Sequence, residues 1–409
     1  MNVSISPELQ YMLLVFGLFF VPRAIQRFRI PSAVTCVGIG AALSIGFHYF
    51  HGDHTIKLLA TLGIVSMFLF AGLEVDFAEL RQGRKILLQH IGAQLLLLVL
   101  GSWVLHVVLG LAGRPALLFA LALFTPSTGF ILDSLDGFRL TSEERFWVKS
   151  KAIASELVAL AVLFLTIQSS DVGTLSLSAL ALAAMVVLLP PVFRAFAIVI
   201  APFAPKTEFT FLVLVALLCA LITRELGVYY LVGAFVVGLT AVRLRKELPA
   251  LSSEKLLGGV ELFASFFIPF YFLNAGLHLR AEHFSWAAVG LAAALLAIVL
   301  PIRILRVALH RRWVLDEPLK VGARIGTAVI PTLVFTMVIA EILQERFELA
   351  PDRFGALIIF ALLNTLIPGI VLRLPPPEFE TPEVPRTAAI PSPASGDGHS
   401  SAIEGNSHG

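Results

Sequence analysis

The chain has 409 residues, 57% of them hydrophobic and 14% charged, with a formal net charge of +2 and a mean hydropathy of +0.89. Soluble domains carry about 25% charged residues, so this composition excludes an ordinary soluble protein and marks the hydrophobic runs as membrane spans. A net charge this small, with no basic run interleaved with aromatics, gives no reason to expect nucleic acid as a partner.

A helix needs about 20 apolar residues to cross the hydrocarbon core. Breaking the chain at charges, prolines and glycines predicts an all-α polytopic membrane protein of about 13 transmembrane helices. They fall at 9–28, 31–50, 56–75, 86–111, 114–135, 147–168, 175–201, 207–224, 227–243, 255–279, 283–309, 319–343 and 352–372. Pro22 and Arg23 interrupt the first. Its basic flank lies after the apolar run and no small-residue cleavage site follows, so no signal peptide is expected. Cys36 and Cys219 fall inside apolar runs and read as small buried hydrophobes. After Leu374 the chain turns rich in Pro, Ser and Gly, so 1–374 reads as a transmembrane domain and 375–409 as a disordered cytoplasmic tail.

Short cytoplasmic loops are enriched in Lys and Arg. One set of alternate connections holds Arg23, Arg27 and Arg29; Arg81, Arg84 and Lys85; and Arg139, Arg145, Lys149 and Lys151. The same set continues with Arg194 and Lys206, with Arg243, Arg245, Lys246 and Lys255, and with Arg311, Arg312 and Lys320. The intervening connections hold few. This places the N-terminus outside and the C-terminus in the cytoplasm.

The fifth span reads LLFALALFTPSTGFILDSL, with Pro126 mid-span beside Thr125, Ser127 and Thr128. The twelfth reads RIGTAVIPTLVFTMVIAEIL, with Pro331 mid-span beside Thr327 and Thr332. Proline removes a backbone hydrogen bond and clashes with the preceding turn, so each helix should break there. Freed backbone groups survive at that depth only in a protein-lined or wet cavity. Spans five and twelve are seven apart and therefore run in opposite directions. That predicts two inverted repeats, spans 1–6 and 8–13, whose crossed broken helices mark a transporter binding site. The plainer reading is two independent proline kinks.

Between these breaks in sequence lies AIASELVALAVLFL, an apolar run carrying Glu156 near its middle. A charge at bilayer depth costs roughly 3 kcal/mol on insertion scales, and the default role of such a residue is an ion or proton pathway. A structural Glu tied to a neighbouring helix is the alternative. Asn364 occupies the matching span of the second half. On span eleven, Arg306 lies near enough to the inner end to snorkel, and the deeper Arg303 is the candidate counter-charge, with snorkelling as its alternative. Asn274 and Asp133 are possible pathway residues, whereas Glu74, Asp76 and Glu261 read as solvated helix ends at the cytoplasmic face.

Several segments together resemble the monovalent cation:proton antiporter-2 family, which includes sodium/proton exchangers and Kef-type potassium/proton antiporters. LGIVSMFLFAGLEVDFAELR at 62–81 is similar to an apolar third helix ending AGLELDLxxLR. SFFIPFYFLNAGLHL at 265–279 resembles FFIPLFFxxxGLxL, and PSTGFILDSL at 126–135 resembles the SSTAIALQxL broken-helix motif. The likeness covers most of residues 10–373. It implies that Glu156 stands where the family has its essential Asp, Ser155 where it has Asp, Asn or Gln, and Arg303 where a Lys or Arg pairs with the acid. Two positions depart from the pattern: the acid is Glu, and PTLVF at 331–335 lacks the Glu of the family's PRGEF or QGGEF.

On this reading one carboxylate holds either a proton or Na⁺ or K⁺, and competition alone enforces exchange. Thr125, Ser127, Thr128 and unwound carbonyls would replace the ion's hydration shell. With Ser155 neutral, a single titrating group predicts electroneutral exchange. No cofactor is expected, and no enzyme, since no nucleophile–base set or metal cluster is visible. The expected setting is a bacterial inner membrane, with a homodimer implied by the resemblance. A non-transporting sensor or partner-binding protein on the same fold, and a sodium-coupled solute symporter, remain open alternatives.

Overall fold

The computed structural model describes residues 6–372, apart from 48, 51, 76, 136–137, 139, 170–171, 205, 228–229, 245–246 and 248–252. Among the described residues the regular structure is all helical. The first three long elements are α1 (Pro7–Gln26), α2 (Ser32–Ala42, continued by a wide π turn at Leu43–Phe47) and α3 (His54–Leu73). A short α4 (Phe77–Gln82) leads into α5 (Arg84–Leu109). Then come α6 (Gly113–Phe124), α7 (Thr128–Ser134), α8 (Ser142–Gln168) and α9 (Val172–Ala195). The second half holds α10 (Glu208–Glu225), α11 (Tyr230–Arg243), α12 (Glu254–Leu277), α13 (Trp286–Leu315), α14 (Leu319–Ala328), α15 (Leu333–Phe347) and α16 (Pro351–Val371).

Each predicted span coincides with a helical segment, but length and composition qualify fewer of them as membrane-crossing. Among the described residues nine helices are long and apolar enough, or ten if the bent pair α14–α15 counts as one. The 14-residue α11 is too short on its own to cover a hydrocarbon core. The expected tail, 375–409, lies outside the described residues.

Local chemistry sets the helix ends. Asp53 caps α3 by accepting from the Ile56 N–H at 2.9 Å. Thr141 and Glu144 form a reciprocal capping box, with bonds of 3.2 and 2.8 Å. That box starts α8 at Ser142, a turn and a half before the predicted start of its apolar run. Lys151, counted with the cytoplasmic loop charges although its position falls within the predicted span 147–168, stands inside α8 and is buried.

Two groups of helices pack as bodies. In one, α12 lies against α2 and α3, and α11 lies against α3 and α10. In the other, α13 packs on α14 and α16, α15 on α6 and α16, and α8 on α5 and α6. Glycines let α3 and α11 meet at backbone distance. A β-carbon on Gly72 would lie 2.5 Å from Phe235 O and 3.0 Å from the Gly238 Cα. Small residues of this kind replace the hydrophobic driving force that lipid removes.

Candidate functional site

Both predicted breaks are present, at 125–127 between α6 and α7 and at 329–332 between α14 and α15, the second with a bend of 55°. Pro126 and Pro331 are buried. The two breaks touch: Ser127 N–H donates to Pro331 O at 2.8 Å, and Val334 N–H donates to Ser127 Oγ at 3.0 Å. Ser127 thus supplies the orphan N–H in the first turn of α15 with an acceptor from another helix.

A helix that stops inside a membrane leaves carbonyls and a negative dipole end behind. Arg303, 4% exposed, answers both at once. Its guanidinium donates to Leu123 O of α6 at 3.3 Å and to Val329 O, just after α14, at 2.8 Å. Gln94 of α5 donates to Phe124 O at 3.1 Å, and Arg306 donates to Gln94 Oε1 at 2.9 Å. Arg306 is therefore held against α5 and does not snorkel. Among the described residues Arg303 makes no ion pair with Glu156; its hydrogen bonds go to the two helix ends.

On the other side of the crossing, Thr332 N–H donates to Asn364 Oδ1 at 3.3 Å and Asn364 Nδ2 donates to Thr332 Oγ1 at 2.8 Å. Thr336 joins this net through Thr332 Oγ1 at 2.7 Å and Ala122 O at 2.8 Å. Neutral side chains thus satisfy the break where the family pattern led one to look for a second acid.

Glu156 sits in the middle of α8, 2% exposed. Its carboxylate borders a void of about 10 Å³ together with Ser127, Thr128, Gly129, Met67, Phe68 and Phe335, about the space one water needs. Glu156 Oε2 and the hydroxyls of Thr125, Thr128 and Ser155 are buried with no hydrogen-bond partner. Such orphans are costly, and two of the residues that carry them, Glu156 and Thr128, line the same void. Of the predicted ligands the structure brings Ser127 and Thr128 to the void with Glu156, while Thr125 and Ser155 are buried nearby in sequence but do not line it. The side chain of Asp133 lies outside the described residues.

The void adjoins a larger cavity of about 420 Å³ on the side of the basic loops. The two share Met67, Gly129 and Val334, and the larger one reaches Glu74, Arg145, Lys149 and Glu261. A cavity of about 340 Å³ on the opposite side includes Asn274 and shares no lining residue with the void. Phe68 and Phe335 meet edge to face at 5.8 Å between ring centroids, both lining the void.

Sequence reasoning missed Gln94, Thr336 and the buried Lys151. Gln94 carried a legible signal, an amide in the run LLQHIGAQLLLLV. Thr336 carried none beyond its distance from Pro331.

A family model described as sodium/hydrogen exchanger, transmembrane, matches residues 13–375. The probable Na(+)/H(+) antiporter 3 of Methanocaldococcus jannaschii is 24% identical over 267 residues, covering 64% of this chain and 68% of its own length. The Na(+)/H(+) antiporter NhaS5 of Synechocystis is 23% identical over 378 residues, covering 88% of this chain; the chain spans 52% of that relative. Among solved structures, the sodium proton antiporter MjNhaP1 from Methanocaldococcus jannaschii aligns with a TM-score of 0.62 at 13% identity, over 89% of this chain and 96% of that one. That likeness is one of fold. By the match that spans nearly its whole membrane part, the chain is an integral membrane protein of the sodium/hydrogen exchanger family.

Proposed function

We propose that the protein exchanges a monovalent cation, Na⁺ or K⁺, for H⁺ across the membrane, with Glu156 as the shared site. The observation that carries this is a buried carboxylate with an unsatisfied oxygen, bordering a water-sized void where two broken helices cross. A carboxylate inside a protein is tolerable when protonated or when paired with a cation. The void offers room for one or the other, so proton and cation compete and exchange follows without a further coupling device.

Hard cations prefer oxygen donors. The Glu156 carboxylate and the Thr128 hydroxyl supply them at the void, and Ser127 Oγ keeps a second lone pair after accepting from Val334 N–H. Thr125 and Ser155, as second-rank donors, would turn in only if the void widened. Arg303 keeps its charge throughout and acts as a clasp on the two helix ends. One titrating carboxylate at the void supports electroneutral exchange, one cation for one proton. The two breaks, in helices of opposite direction, support an inverted-repeat architecture. Loop charge supports a cytoplasmic C-terminus in a bacterial inner membrane, and the family resemblance supports a homodimer.

The test is a pH-sensitive dye in everted vesicles. Na⁺, K⁺ or Li⁺ should evoke dequenching that Glu156→Gln abolishes. A response that survives the substitution removes Glu156 from the mechanism. A proton flux that follows an imposed voltage overturns electroneutrality.

A further inference from the structure

The two groups of helices stand apart on the side of the basic loops and are tied together on the other. The inner cavity lies between them, with Glu74 at the end of α3 and Glu261 of α12 on one side and Arg145 and Lys149 of α8 on the other. At the outer end, the turn that closes α10 bridges the gap. Leu226 O accepts from Gln168 Nε2 of α8 at 2.8 Å and from Ser178 Oγ of α9 at 3.3 Å. The next carbonyl, Gly227 O, accepts from the Arg346 guanidinium of α15 at 3.1 Å. Both carbonyls belong to a helix C-terminus, which leaves acceptors open and carries the negative end of the dipole. Gly227, at a φ of +74°, takes the left-handed conformation that glycine adopts without strain. A β-carbon on it would lie 3.4 Å from Gln168 Nε2 and 3.7 Å from an Arg346 nitrogen, so the two side chains converge on one turn.

We propose that Gln168 and Arg346 form an outer latch, which holds the Leu226–Gly227 turn against α8 and α15 while the inner cavity is open. The outer route to Glu156 opens only when both let go. This rests on the exchange reading above, which requires a cation to reach the void from either face. In this structure the void adjoins the inner cavity and shares no lining residue with the outer one.

Placement and chemistry both suit that task. Gln168 follows Glu156 on α8 by twelve residues, about 18 Å along the axis, and Arg346 follows Phe335 on α15 by eleven, about 16 Å. The two helices that line the void beside Glu156 thus each carry one half of the latch at their outer ends. Arg346 is exposed, and Leu226 and Gly227 are partly so. When these bonds part, water takes the vacated positions and no group is left bare. The Ser127–Pro331 bond at the crossing is buried on both sides and has no such substitute. The latch is therefore a contact that can release, whereas the crossing is one that stays made.

The experiment reads thiol accessibility on purified protein in a Cys36→Ala, Cys219→Ala background. Ile64→Cys, at a position 4% exposed, reports on the outer cavity, and Ala264→Cys, at a position 3% exposed, on the inner one. Gln168→Leu combined with Arg346→Met should speed labelling at the first about fivefold and slow it at the second, because population gained by one state is lost by the other. Arg346→Lys, which keeps a donor, should move both rates less. Ser178→Ala removes a bond to the same carbonyl from α9, outside the second group, and should move neither. Two rates that rise together, two that stay unchanged, or an equal shift with Ser178→Ala overturn the latch. In oriented proteoliposomes the double variant should lower KM for external cation and raise KM for cytoplasmic cation, and unchanged values on both faces overturn it as well. If the labelling shifts as expected while wild-type vesicles transport nothing, the exchange reading fails and the latch stands.

Discussion

The backbone N–H of Ser127 donates to the carbonyl of Pro331 at 2.8 Å, so each broken helix satisfies a group that the other's break exposes. The Ser127 hydroxyl extends the same exchange by accepting from Val334 N–H. Ser127→Ala should leave that buried N–H bare, at a cost of about 1–3 kcal/mol. Thermal unfolding in detergent should show a lower Tm, and Ser127→Thr, which keeps the acceptor, should recover most of it. An unchanged Tm for the alanine variant would mean the bond is not formed.

Arg303 reaches two carbonyls, Leu123 O and Val329 O, with two nitrogens of one planar group. Lysine carries the charge but lacks the fork. Arg303→Lys should therefore lose stability and transport together, and Arg303→Met should lose more, each broken charge-assisted bond being worth about 1.5–3 kcal/mol. If Arg303 instead served mainly as a counter-charge for Glu156, the lysine variant would keep wild-type stability and change only the pH profile of exchange.

Gly72 has no room for a side chain against Phe235 O and Gly238. Gly72→Ala should push α3 off α11 and cost about 1–3 kcal/mol, the usual penalty of overpacking, read as a fall in Tm. Gly17→Ala, with open space around it, is the control and should be near neutral.

His283, in the short turn Ala281–Phe284 between α12 and α13, is buried and accepts from Arg280 N–H through Nδ1 at 3.2 Å. Burial holds its imidazole below the ordinary histidine range. The unfolded chain binds this proton more readily, near pH 6.5, so the stability conferred by neutral His283 is full above that pH. It declines as pH falls through and below it. Protonation also takes the lone pair that receives the Arg280 N–H. Hydrogen exchange at residues 280–284 should accelerate below pH 6.5, and His283→Asn, which keeps an acceptor without titrating, should flatten that dependence.

Access should be one-sided in this state. Ser265→Cys lines the inner cavity and Asn274→Cys the outer one, while the native Cys36 and Cys219 are buried. An impermeant thiol reagent should label the first from the cytoplasmic face only and the second from the outside only. The reverse pattern would invert the orientation read from loop charge.

Much of the crossing was legible because its signals are single residues that break a rule. Proline inside an apolar span and a carboxylate at mid-depth each contradict their surroundings, so Pro126, Pro331 and Glu156 stand out without any structure. What was not legible are relationships between distant segments. Arg303 announces a buried charge, but not that its partners are carbonyls 180 and 26 positions away. The bond that starts α15 comes from a serine 207 residues earlier. Lys151 misled because a loop tally counts every charge near a span end, and neither its place inside the span 147–168 nor its burial enters that count. Span number shows a similar limit: periodicity detects a helix, whereas length and composition qualify nine or ten of the described helices as membrane-crossing.

The glycine contact of α3 with α11 has one more consequence. Met67 and Phe68 on α3 form one wall of the void, while Glu156 on α8 and Phe335 on α15 form the facing wall. The first wall is stapled to α11 through Gly72 and Gly238, and the second belongs to the helices gathered around α13, α6 and α16. The seam between the two groups of helices runs along the void beside Glu156. An alanine at Gly72 would therefore disturb one wall of the void as well as the packing of α3 on α11.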